Sequence, residues 1–183
     1  MGSLVTPPLT GLMMSSRTKA CHGEGGFGMV LTGKPHAKGR PRFSKATGKP
    51  FKAESTREFE AMLAAEIKCA WPHHEPQWSC PMILEVVAIF DRPKRLLRKK
   101  DTDDMIPHTV VPDASNILKS VEDSLNLSGK ISDDSVIYSS RCRKFYGERY
   151  DEAGWVQEAQ TMIWLRKIGA GPKCPIEGWP TLP

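Results

Sequence analysis

Between Asp113 and Asp134 the chain gathers Asp113, Asn116, Lys119, Glu122, Asp123, Asp133 and Asp134 within one short stretch. On a helical wheel Asn116, Lys119 and Asp123 fall within about 60° of one another, so an amide, an amine and a carboxylate share one face. Asp113 stands just before that helix, and Asp133-Asp134 follow soon after its end, where a returning strand can carry them back beside it. Hydrolysis of a phosphodiester needs the non-bridging oxygens neutralised and a hydroxide generated near neutral pH; carboxylates that hold Mg²⁺ serve both needs. A nearby lysine adds stabilisation of developing negative charge. On residue types alone a plainer reading stands beside this one, because an Asp before a helix is commonly a cap and exposed Lys and Asp are commonly solvated.

The helix that positions these groups is predicted over Asp113–Asn126, with Ile117, Leu118, Val121 and Leu125 as its buried stripe and Gly129 at its exit. An earlier helix is predicted from the capping box Ser55…Glu58 through Phe59, Met62, Leu63, Ile67, Ala70 and Trp71, ending at Pro72. The run Met82–Phe90 is β-branched and almost continuously apolar, as suits a central strand covered on both faces. Phe27–Thr32 reads as a first strand, and Ser135–Phe145 and Trp155–Leu165 read as two strands joined in a hairpin. The expected architecture is α+β: one domain over residues 27–167, a mixed sheet of about four to five strands and two main helices. Residues 1–26 and 168–183, rich in Gly, Pro, Ser and Thr, are expected to be tails.

Charge is unevenly spread. The formal net charge is +5 and the pI about 9.0, and the basic residues concentrate in two runs. One holds Lys34, Lys38, Arg40, Arg42 and Lys45; the other Arg92, Lys94, Arg95, Arg98, Lys99 and Lys100. Either run alone reads equally as a solvated loop or as a phosphate contact. Beside a carboxylate cluster the second sense gains weight, with exposed Phe43 available to stack on a splayed base and Arg141 and Arg143 extending the surface. Five widely spaced cysteines without a C-x-x-C pair support neither a disulfide framework nor a zinc ribbon. His36, His73, His74 and His108 lack metal-ligand spacing. No run approaches the roughly 18 apolar residues of a membrane span, and no secretory signal opens the chain, so a cytoplasmic protein without membrane contact is expected.

Gly23-Glu24-Gly25-Gly26-Phe27-Gly28-Met29-Val30 fits the kinase glycine-loop pattern G-x-G-x-x-G-x-V. Its context is missing. Val87-Ala88-Ile89 is followed by Phe90 where a phosphate-pairing lysine should stand, and neither H-R-D nor D-F-G occurs. A dinucleotide-binding reading fails as well, since no strand precedes the glycines and no helix follows them. A flexible lead-in to the first strand and no nucleotide cofactor are expected.

The segment Pro112-Asp113-Ala114-Ser115-Asn116-Ile117-Leu118-Lys119-Ser120-Val121-Glu122-Asp123-Ser124-Leu125-Asn126, then Gly129 and Asp133-Asp134-Ser135-Val136, resembles the signature of the RusA family of Holliday-junction resolvases, P-D-x-D-N-x-x-K-x-x-x-D-x-L-N followed by D-D-x-x. Upstream, Gly33-Lys34-Pro35 and Lys38-Gly39-Arg40-Pro41-Arg42-Phe43 are similar to that family's first strand and basic arm. The resemblance implies a Mg²⁺-dependent homodimer, with Mn²⁺ as a possible substitute, that makes paired symmetric nicks in four-way DNA junctions. It implies Asp113 and Asp134 as metal-binding carboxylates and Lys119 as catalytic lysine, with Asp133, Asn116 and Asp123 supporting them.

One position departs from the signature: Ser115 stands where the family has a second catalytic aspartate. Ser can still begin a helix, but one negative charge leaves the metal site. Glu122 lies almost directly above Ser115 on the wheel and leans toward it, so it is a candidate replacement across a rise of roughly 10 Å. Two readings follow: an active resolvase using Asp113, Asp134 and Glu122, or a protein that binds branched DNA with weakened or absent cleavage. A nuclease acting on flaps or single strands would use the same chemistry and remains a third.

Overall fold

A computed structural model describes residues 18–23, 25–39, 42–43, 48, 50–149 and 157–169. Its main sheet has six strands in the order β1-β2-β8-β5-β7-β6. These are β1 (Thr18–Gly23), β2 (Gly26–Thr32), β5 (Met82–Phe90), β6 (Ile106–Pro107), β7 (Ile137–Tyr146) and β8 (Gln160–Lys167). A separate two-stranded ribbon pairs β3 (Arg42–Phe43) with β4 (Pro50–Phe51). The helices are α1 (Glu54–Ala70) and α2 (Ala114–Ser128). The α+β class and the two helices are as the sequence predicts; the sheet is larger than the four to five strands expected.

β5 takes the place its composition demands. It lies between β7, to which it runs parallel, and β8, to which it runs antiparallel. Val86 through Ile89 are all buried on both faces. The parallel pairing requires a crossover, and α2 supplies it, so β5, α2 and β7 form a β-α-β unit. Ser135–Phe145 and Trp155–Leu165 were expected to pair as a hairpin, yet β5 separates β7 from β8 in the sheet. A strand apolar on both sides gains most by an interior position, and that gain overrides the adjacency of its two partners in sequence. β7 itself begins at Ile137, after a short 3-10 turn over Asp134–Val136.

The sequence places Thr18–Gly23 in the N-terminal tail, whereas the structure pairs it with β2 in register from Thr18↔Leu31 to Gly23↔Gly26. The glycines that mimic a nucleotide loop therefore turn a hairpin: Gly25 has φ +69°, a conformation open to Gly at little cost. Residues 1–17 and 170–183, the rest of the expected tails, lie outside the described residues.

Both helices cover one face of the sheet. Leu63 and Ile67 of α1 and Ile117, Val121 and Leu125 of α2 pack with Phe27, Met29, Leu84, Val86, Ile163 and Leu165. The opposite face holds a smaller cluster of Val87, Ile89, Phe145 and Met162. Three serines of α2, Ser120, Ser124 and Ser128, are buried. Ser124 donates to Ser120 O and Ser128 to Leu125 O, which satisfies the hydroxyls of Ser124 and Ser128.

The first helix does not begin as the sequence suggests, whereas the second begins directly after Asp113 as expected. α1 starts one residue before Ser55, with Ala53 at the cap and no side-chain cap bond, so the Ser55…Glu58 box does not form. Met62, expected in the core, is exposed, and Glu60 is buried in its stead because Lys52 pairs with it at 2.9 Å. α2 runs to Ser128 and ends on Gly129, whose φ of +67° is the left-handed stop that glycine permits.

Candidate active site

The approach to α2 is fixed from below by β7. β6 pairs with the end of β7, and His108 N donates to Lys144 O at 2.9 Å. The His108 ring is sandwiched between Phe90 and Tyr146, with centroids at 4.1 and 4.6 Å. Burial, followed by the Lys144 charge, lowers its pKa, so it is a neutral packing element. Lys144 then donates its ammonium to two carbonyls of the connecting segment, Val110 O at 2.7 Å and Pro112 O at 2.6 Å. These bonds deliver Asp113 to the head of the helix.

Asp113 occupies the cap position with extended backbone, but its side chain makes no cap bond. The carboxylate is exposed, with Asn116 Nδ2 at 3.5 Å. Because Asp113 holds the cap, Ser115 lies inside the first turn, exposed, and does not initiate the helix as expected.

Lys119 is where the acidic groups meet. Its ammonium donates to Asp134 Oδ2 at 3.1 Å and stands 3.7 Å from Glu122 and 3.8 Å from Asp123. The hydrogen bond to Asp134 raises the Lys119 pKa against the opposing cost of partial burial, and the negative charges of Asp134, Glu122 and Asp123 add to it. The amine therefore remains a cation at neutral pH. Glu122 is brought to Lys119. Asp133 caps the turn that carries Asp134: its Oδ1 accepts from Ser135 N at 2.9 Å, which lowers its pKa.

Asp123 has a second set of partners. Its Oδ2 accepts from Lys38 at 2.5 Å and from Lys52 at 3.0 Å. Burial works to raise its pKa, but the bonds from Lys38 and Lys52 outweigh that and hold it below the usual carboxylate value. Lys52 bonds Glu60 as well, the main reason its own pKa is raised. The Lys38 backbone amide adds a bond to Asn116 O at 3.0 Å, which lays the basic arm against α2.

The other basic residues are distributed differently from expectation. Lys34 is exposed on the arm, Phe43 is 69% exposed, Arg40 lies outside the described residues, and Arg42 is placed only by its β3 backbone. Arg95, Arg98, Lys99 and Lys100 are exposed on the loop after β5. Arg92 heads that run in sequence but is buried, donating to Gly147 O at 2.9 Å, Thr102 O at 2.6 Å and Asp104 O. It holds the loop in place. Arg141 and Arg143 alternate with Cys142, which packs on the helix side, and share a face with Phe145, which packs on the other. They project from the face opposite α2 and so do not extend the Lys119 surface; Arg143 stands 3.6 Å from Glu85.

Among the described residues no group of three or more His, Cys, Asp or Glu is arranged to hold a metal ion. Mg²⁺ does not ask for one: it retains several waters and is commonly held by one or two carboxylates together with substrate phosphate. The hard oxygens of Asp113 and Asp134 suit that habit in kind and number. Lys52, Lys144 and Glu60 complete the arrangement and were not predicted. Nothing local marks them, since each acts on a partner far away in sequence.

The α+β domain thus sets a lysine ringed by carboxylates beside a basic arm, groups whose chemistry is compatible with a phosphate ester. The comparison with protein families makes this specific: the family model described as "Endodeoxyribonuclease RusA" matches residues 32–152, and the chain belongs to that family. The chain is also 30% identical over 154 residues to "Uncharacterized protein YqaN" of Bacillus subtilis (strain 168), an alignment covering 77% of this chain and 96% of that protein. No helix among the described residues is long and apolar enough to cross a membrane.

Proposed function

We propose that the protein is a Mg²⁺-dependent endodeoxyribonuclease that resolves four-way DNA junctions by paired symmetric nicks. The observation that carries this reading is the Lys119 ammonium, held 3.1 Å from Asp134 on the exposed side of a helix headed by Asp113. In this reading Asp113 and Asp134 hold the ion. When bound, Mg²⁺ supplies charge neutralisation at the phosphate and lowers the pKa of a water. Lys119 donates to a non-bridging oxygen and steadies the charge that grows there. Asn116 orients the Asp113 carboxylate, Lys144 fixes the backbone beneath it, and Lys34 and Lys38 with Arg40 and Arg42 lead the DNA strand toward it.

Two nicks related by symmetry need two sites related by an axis, so the acting form is a two-fold homodimer. Sedimentation of the free protein tests this directly. Nicking of a synthetic four-way junction, measured beside a flap and a linear duplex while Mg²⁺ or Mn²⁺ is titrated, tests the activity. Junction cleavage that needs the metal and vanishes in Asp113→Asn and Asp134→Asn is expected; metal-independent cleavage, or none, removes the proposal.

A second reading is favoured by one position. Ser115 is exposed with no carboxylate in its place, and Glu122 turns to Lys119 instead. In that reading the chain binds branched DNA and cleaves it poorly. Ser115→Asp separates the two: a large gain in metal affinity and rate marks the natural protein as a weak nuclease, and an unchanged rate marks it as a complete one. Glu122→Gln cleaving at the natural rate excludes Glu122 as the substitute carboxylate.

A further inference from the structure

Lys38 and Lys52 flank the β3–β4 ribbon, one ahead of Arg42 and the other directly after Phe51. Both amines reach the same oxygen, Asp123 Oδ2, at 2.5 and 3.0 Å. One carboxylate on the middle of α2 thus closes the base of the ribbon. Each stem has a further anchor: Lys38 N on Asn116 O, and Lys52 Nζ on Glu60 of α1 at 2.9 Å. The Asp123 side chain is only 16% exposed, whereas Phe43 on the ribbon is 69% exposed.

An aromatic ring left in solvent beside cationic stems matches the way proteins grip a DNA strand, by stacking on a base and pairing with its phosphates. The base of such an arm matters as much as its tip, since chemistry requires the strand to lie within a fraction of an ångström of its productive place. Asp123 also stands 3.8 Å from Lys119. The closure of the arm and the central cation of the site therefore meet at one side chain.

We propose that Asp123 is a positioning residue, pinning both stems of the Arg42–Phe51 ribbon to α2 so that a DNA strand seated on the ribbon lies in register with Lys119 and Asp134. The partner is the sugar-phosphate backbone of that strand with an unstacked base on Phe43. This rests on the nuclease reading for its consequence in catalysis, but the pinning itself is a property of the free protein. Asn at 123 keeps the shape and removes the charge, leaving two ammonium groups with no shared counter-ion and each stem held by its further anchor alone.

The test is amide hydrogen exchange over residues 38–52 in the full chain, free and with a four-way junction, for the natural protein, Asp123→Asn, Asp123→Glu and the Lys38→Met/Lys52→Met pair. In the free protein Asp123→Asn and the lysine pair are expected to speed exchange at Phe43 and Phe51 by about tenfold, with Asp123→Glu restoring protection. Junction DNA is expected to protect the ribbon in the natural protein and not in Asp123→Asn. Where nicking is measured, Asp123→Asn is expected to lower kcat on the order of 10–100-fold with little change in junction Kd, and adding it to the lysine pair to cost nothing further. Unchanged exchange in the free variants overturns the pinning; a ribbon that DNA does not protect overturns its role as an arm. Should the natural protein fail to nick junctions, the nuclease reading falls while both exchange outcomes still decide this one. If Asp123→Asn does not fold, the lysine pair carries the same measurement from the exposed side.

Discussion

Lys119 gives one ammonium to Asp134 and stands within 4 Å of Glu122 and Asp123, so replacing it removes the cation that Asp134 and Glu122 share and leaves Asp123 to Lys38 and Lys52. Lys119→Met is expected to reduce junction cleavage by about 10²-fold or more, while removing only about one phosphate contact from the salt dependence of binding. Single-turnover nicking beside a binding titration separates the two effects. The pH response has a definite sign. Asp123 has its pKa depressed by Lys38 and Lys52 against the effect of burial, so its contribution to stability is full above its unfolded value, roughly 4, and is lost as pH falls through its lower folded value. Lys119, raised chiefly by its bond to Asp134, contributes fully below its unfolded value of roughly 10.4 and loses that contribution as pH rises through its higher folded value. Urea unfolding is therefore expected to show a steeper acid limb in the natural protein than in Asp123→Asn. At this scale the sequence reveals the residues but not their partners. The spacing of Asp113, Lys119 and Asp134 is visible in one dimension. That Asp123 serves Lys38 and Lys52, or that Lys144 grips Val110 and Pro112, depends on side chains meeting across the fold.

Elements with strong local signals are found where the sequence puts them. β5 spans the predicted Met82–Phe90, and α2 differs by a residue or two at each end. What the sequence conceals is which elements become neighbours. β1 is short and polar, with Lys19 and His22 exposed, and is recognisable only once β2 is there to pair with it. The ribbon β3–β4 has no apolar alternation and is held by its stems. The loop after β5 depends on Arg92, a buried guanidinium whose acceptors are backbone carbonyls of Gly147, Thr102 and Asp104. Arg92→Met strands those carbonyls and is expected to cost about 3 kcal/mol in urea denaturation, with no direct effect on DNA contacts. Gly147 is fixed in the same corner: a Cβ there would lie 2.8 Å from Gln157 O, so Gly147→Ala must displace the chain ahead of β8. At the far end of α2, Gly129→Ala meets no atom but forces a side chain into the left-handed region, for an expected loss of about 1 kcal/mol.

Across the whole molecule Lys38 of the arm lies against the site, Arg95, Arg98, Lys99 and Lys100 are exposed on the loop after β5, and Arg141 and Arg143 occupy the other face of the sheet. Junction affinity is expected to fall steeply between about 50 and 200 mM salt, as counter-ion release requires, and replacing exposed Lys34 is expected to flatten that slope where replacing Arg141 does not. The position of β8 has a consequence in time as well as in space. It is the seam that joins β1–β2 to β5–β7, yet it is the last described strand the ribosome makes. Until residues 160–167 emerge, the opening hairpin has nothing to dock on, and the middle strand lies bare along one side. The sheet cannot close before that strand is made, and a chain cut back to the family-matched span 32–152 would lack that seam. Such a fragment is expected to aggregate on its own and to regain native circular dichroism only when the missing strands are supplied in trans.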